Sequence, residues 1–200
     1  MAGVTRELTD PGETQMSTSR TAGETTRLPA GAWATDPIHS SLDFSVEHNA
    51  VGTFRSSLPE FEGTLTVGDD GAAVLEGVGR VTSVVTPDPN LTGHLQSPDF
   101  FDAERYPEVH FRSTEIARSG DEIRSAGELT LKGHTGRLEL SGSFLGPVVG
   151  LGDADRIGMD LTGTFDRTGY GLTWNAPLPQ GGVAVGDQVT ISAHLELVRG

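Results

Sequence analysis

From Trp33 onward the apolar side chains recur at every second position. In "IHSSLDFSVEH", Leu42, Phe44, Val46 and His48 alternate with Ser41, Asp43, Ser45 and Glu47. A period of two is that of a strand with one buried face. In "EFEGTLTV", Phe61, Gly63, Leu65 and Val67 share a face, and "AAVLEGVGRVTSVV" follows as a longer, less regular strand. Val109 and Phe111 alternate with His110 and Arg112. Then come Ile123, Gly127, Leu129 and Leu131, followed by Leu138, Leu140, Gly142 and Phe144. Ile157, Met159, Leu161, Gly163 and Phe165 form the next set, and Val189, Ile191, Ala193, Leu195 and Leu197 the last. The pattern predicts eight strands. Most links are short and glycine-bearing, "GDDG", "RSGDE" and "KGHTG", which makes neighbours antiparallel. Eight such strands suit an all-β up-and-down barrel or a two-sheet sandwich. A barrel removes exposed edges and, at eight strands, can enclose one small ligand.

Small residues interrupt the apolar faces in mid-strand: Gly63, Gly127, Gly142, Gly163 and Ala193. Two readings stand side by side. Inward-facing glycines leave the middle of the barrel hollow, or they let strands coil sharply at its corners.

One segment breaks the alternation. "SPDFFDAERYP" has Ser97 as a potential N-cap, Pro98 at the first helical position, and Asp99 and Asp102 near the positive end of the dipole. Tyr106-Pro107 is a stop. The segment predicts one short helix between strands, with Phe100 and Phe101 lining or plugging one end of the barrel, or packed on its outside.

Composition narrows the function. At 200 residues the chain fits one domain with a real core. The net charge of -14 disfavours nucleic acid and anionic lipid surfaces. With no cysteine there is no disulfide, thiolate metal site or thiol nucleophile. Residues 1–28 are polar, lack an apolar signal-like run and read as a disordered tail, leaving 29–200 as the domain. No apolar run is long enough to span a membrane. A cytoplasmic protein is the expectation.

"HLQSPDFFDAERYPEVHFRST" resembles the signature of the YceI-like family, bacterial lipocalin-like polyisoprenoid-binding domains. "DPIHSSLDFSVEH", "GELTLKGHT", "RIGMDLTGTFDRTGYGLTWN" and "GDQVTISAHLELV" continue the resemblance over roughly residues 33–199. It departs from the family's usual residues at Glu47, Ser56, Leu58 and His134. The resemblance implies a lipocalin-like barrel with an elongated apolar tunnel that holds an isoprenoid chain or another long amphiphile. Phe44, Val46, His48, Phe61, Leu65, Leu129, Leu140, Met159, Leu161 and Phe165 are then expected to line the tunnel. Phe100 and Phe101 would border one end.

Arg55, His94 and Lys132 stand near predicted strand ends and are the candidates for a polar head group. Trp174 either caps the tunnel or packs outside. No nucleophile elbow, paired-histidine metal motif or calcium loop is visible, and no cofactor beyond the lipid itself is expected. The chain therefore reads as a carrier for a quinone, a polyprenyl phosphate or a similar lipid. An enzyme using His48 in the lumen, or an interaction module with a filled barrel, are the alternatives. Pairing with a second copy is left open.

Overall fold

The computed structural model describes residues 25–200. Ten strands follow in order: β1 (Gly31–Thr35), β2 (Ser41–His48), β3 (Gly52–Ser57), β4 (Phe61–Val67), β5 (Ala73–Arg80), β6 (Glu108–Ser119), β7 (Glu122–Leu131), β8 (His134–Val149), β9 (Asp155–Asp166) and β10 (Val185–Arg199). Every pairing is antiparallel. The order β1-β4-β5-β6-β7-β8-β9-β10 closes on itself because β10 also pairs β1. β10 bonds β2 from Val185 to His194 and β1 from Leu197 to Arg199 along the same edge. β1 and β2 are thus two halves of one barrel stave, as are β3 and β4. Of the barrel and the sandwich that the alternation allowed, the eight-stranded antiparallel barrel is the observed one, with two staves broken.

Each break holds a proline, Pro37 in one and Pro59 in the other, which cannot donate to a ladder. Side chains mend the first. Ser40 Oγ donates to Glu196 O and accepts from Glu196 N, and Asp36 N donates to the same carbonyl at 2.7 Å. Arg156 then ion-pairs with both Asp36 (2.9 Å) and Glu196.

β5 stops at Arg80, and the chain leaves the wall until Pro107, where Val81 N donates to Pro107 O. This excursion fills the gap beside β3, whose second edge has no strand partner among the described residues. Ser56 Oγ donates to Val85 O, and Glu60 N to Ser83 Oγ.

The short helix exists, but it is α1 (Pro89–Gln96), immediately before the predicted segment. Both "DPN" and "SPD" offer a cap followed by proline. Asp88 wins, its side chain accepting from Asn90 N at 2.8 Å. Ser97 instead ends α1, its N–H and Oγ both donating to His94 O. Residues 97–106 form successive turns, with Asp102 at φ +50°. Two adjacent side chains cannot face one side of a regular helix. In the turns, Phe100 and Phe101 are both buried, at 8 % and 9 % exposure.

The barrel is solid at one end. Trp33, Leu65, Phe144, Ile157, Met159 and Leu197 are almost wholly buried there. Arg199 lies over the Trp33 ring and Arg118 over Phe144. Leu28 is also buried at the core, and Thr26 N donates to Arg118 O. Residues 25–28, assigned from sequence to the tail, therefore pack on the barrel, while 1–24 lie outside the described residues. A Cβ on Gly127, Gly142 or Gly163 would meet a backbone carbonyl of a neighbouring strand within 2.4 Å. These three serve close strand approach, which is the coiling reading. They do not hollow the lumen.

Candidate ligand-binding cavity

The opposite end of the barrel is open. Here the inner faces of β2, β3, β6, β7, β9 and β10 meet α1, the turns after it and the loop after β9 around a cavity of about 410 Å³. Its polar contributors are few. β2 supplies Phe44, Val46 and His48, and Phe54 of β3 stands directly across from Val46. Phe44 packs on Phe54 (centroids 6.1 Å apart) and edge-on against Phe101 (5.9 Å). On the other side of the mouth, His94, Phe100 and Trp174 touch pairwise, with centroids 4.8–5.3 Å apart. Such rings supply large apolar contact with few rotamers to fix.

Of the residues expected from sequence, Phe44, Val46, His48, Phe100, Phe101, Leu129 and Phe165 line this cavity. Phe61, Leu140 and Leu161 line a second, smaller space of about 80 Å³ beneath it, with Gly63 and Ala193. Leu65 and Met159 line neither; they belong to the packed end. The elongated tunnel is in fact a cup, deep at the mouth and filled below.

The head-group candidates separate. His94, in the last turn of α1, lines the cavity and hydrogen-bonds Asp99 at 3.2 Å. Arg55 does not line it. It pairs with Ser45 in register, so it lies on the outer face, opposite to Phe54. Lys132 sits in the β7–β8 turn, and its Nζ donates to Pro98 O (2.7 Å) and Gly171 O (3.1 Å). It ties the turns after α1 to the barrel. His48 is exposed at the rim. His110 and His194 are on the outer surface beside Glu108 and Asp160.

Sequence reasoning missed Phe54 and Arg167. Phe54 is a lone apolar residue in "GTFRSS", too little for a period to show. Arg167 lines the cavity while only 2 % exposed. Its Nε donates to Gly186 O. The two terminal nitrogens donate to Leu172 O, Trp174 O, Val185 O and the Asp187 carboxylate. Five donors meet five acceptors, so the guanidinium pins the loop that carries Trp174. Trp174 thereby borders the cavity. Among the described residues no helix is long and apolar enough to cross a membrane.

Comparison with known proteins agrees with this architecture. The model of the YceI-like domain matches residues 33–197. A UPF0312 protein of Staphylococcus aureus is 29% identical over 164 residues, covering 80% of this chain and 94% of that protein. The crystal structure of Burkholderia cenocepacia BcnA superposes with a TM-score of 0.66 at 19% identity, over 83% of this chain and 99% of that one. A polyisoprenoid binding domain from Saccharophagus degradans, implicated in plant cell wall breakdown, gives 0.61 at 14% identity, over 84% and 98%.

Proposed function

The chain belongs to the YceI-like family, and from that premise we propose that it is a binding protein that shelters the apolar part of an isoprenoid or similar amphiphile. The observation that carries this reading is the aromatic-mouthed cavity of about 410 Å³, apolar in its depth and open at one end. Pockets of this size suit a single small ligand. The polyisoprenoid-binding neighbour supports an isoprenoid as the occupant.

The mechanism is burial. Each methylene taken out of water contributes about 0.8 kcal/mol, offset by the ordering of the chain. The tail enters first, past Phe101 and Trp174, and the head stays at the mouth beside His94 and His48. Binding without turnover fits the lining. Its titratable groups among the described residues are His48, His94 and Arg167, and Arg167 is committed to protein acceptors.

Titration with farnesol, read by the change in tryptophan fluorescence at Trp174 over the emission of Trp33 in the packed base, tests the proposal. Saturable binding is expected in the native protein. Phe101→Asp puts a charge where the tail passes, and should weaken binding at least about tenfold while the strand signal in circular dichroism persists. Undiminished binding by the folded variant would remove the cavity as the site.

A further inference from the structure

The shape of the cup and the disposition of its cations limit which amphiphile it can take. Resting on the carrier reading above, we infer that the ligand is short, about three isoprene units enclosed, and that its head is uncharged.

Length follows from the floor. Val109, Leu129 and Ile191 line both the upper cavity and the smaller space below it, so they form a waist between the two. Below that smaller space the barrel is packed solid by Trp33, Leu65, Phe144 and Met159. A methylene occupies about as much room as a water molecule, about 30 Å³. The cavity of about 410 Å³ therefore encloses about 14 such groups. The space of about 80 Å³ beneath the waist adds only about three more. Carbons beyond that length remain outside the mouth, in water, and contribute little to affinity.

The uncharged head follows from the cations. Arg167, the one arginine among the described residues that lines the cavity, spends all five N–H groups on protein oxygens. Arg55 lies on the outer face, and Lys132 donates to two carbonyls away from the lining. Among the described residues no arginine or lysine is thus presented to a phosphate in the mouth, whose titratable neighbours are His94 and His48. The Asp99 carboxylate is 3.2 Å from His94 Nε2, and the chain carries a net charge of -14. The contact with Asp99 engages Nε2 of His94, so a head group seated on that ring meets a carboxylate beside it, and like charge disfavours a phosphate there.

Competition binding with geraniol, farnesol, geranylgeraniol and farnesyl phosphate reads both limits, with Trp174 fluorescence as the signal. Affinity is expected to rise at least about tenfold from geraniol to farnesol, as five further carbons are buried. It should then change less than about threefold from farnesol to geranylgeraniol, because the added unit stays in water. Farnesyl phosphate should bind at least about tenfold more weakly than farnesol, the cost of an unpaired charge. Leu129→Ala, or Ile191→Ala if the first variant does not fold, opens the waist and should move the plateau toward geranylgeraniol.

A further tenfold gain at geranylgeraniol in the native protein overturns the length limit. Equal or tighter binding of farnesyl phosphate overturns the uncharged head. Either result leaves amphiphile binding standing. If no prenol of any length binds, the carrier reading fails together with the inference.

Discussion

Arg167 shows how a buried charge is held by geometry in this protein. A guanidinium at 2 % exposure is tolerable only because every donor finds an oxygen, four of them main-chain carbonyls in the segments that flank the mouth. Arg167→Met removes this donor from all four carbonyls, of which Val185 O keeps the Asn175 side-chain amide, and we expect a loss of several kcal/mol or failure to fold, read by urea unfolding. Ser125 is the converse case. Its hydroxyl is buried in β7 with no hydrogen-bond partner among the described residues. Ser125→Ala should therefore leave stability unchanged or raise it by about 1 kcal/mol, and a clear fall in Tm would contradict that. Asp36 is held well below the usual carboxylate range, chiefly by its hydrogen bond from His39, then by Arg156 and the Ile38 N–H. A carboxyl depressed in the folded state stabilises above its unfolded value of about 4, and that contribution fades as pH falls below it. Asp36→Asn should thus be less stable than the native protein at pH 7, and the gap should narrow by pH 3. A gap independent of pH would show that Asp36 acts there by shape alone.

Two prolines and one excursion convert a regular barrel into a cup. Pro37 and Pro59 split two staves, and the early end of β5 leaves a gap that α1 and the turns after it fill with Leu95, Phe100 and Phe101. Lys132, at φ +50° in the β7–β8 turn, holds that filling in place through Pro98 O and Gly171 O. Lys132→Met should lower stability by about 1–2 kcal/mol and speed hydrogen exchange in residues 97–106, more than elsewhere in the barrel. Uniform exchange would mean the turns are held by their phenylalanines alone. The strands of the barrel were legible because each alternates over several residues. β1 and β3 were not, because Trp33 and Phe54 are their single large apolar residues. The helix was legible in kind and misplaced by about two turns, since two cap-proline pairs compete and only the tertiary demand to bury both Phe100 and Phe101 decides between them.

The molecule as a whole is a closed barrel with a solid base and a hollow top. The alternating pattern carried the inward face of each strand but not the depth at which each residue sits. Leu65 and Phe44 obey the same period, yet one lies in the packed base and the other in the cavity wall. The sequence left the glycines open between hollowing and coiling, and their positions divide them: Gly63 borders the small lower space. Gly142 and Gly163 face the inner side in register, but the space a side chain would need is already taken by a neighbouring strand's backbone. Charge was the least legible feature. Arg55 and Lys132 stand near strand ends as the sequence suggested, but only the outward register of one and the carbonyl partners of the other remove them from the cavity. The measurement to make first is native mass spectrometry of the full chain as purified, followed by organic extraction and reloading with farnesol. One amphiphile per chain, lost on extraction and regained on reloading, is the predicted result. A chain that arrives empty and stays empty with farnesol in excess would contradict the account of the cavity as a lipid-binding site.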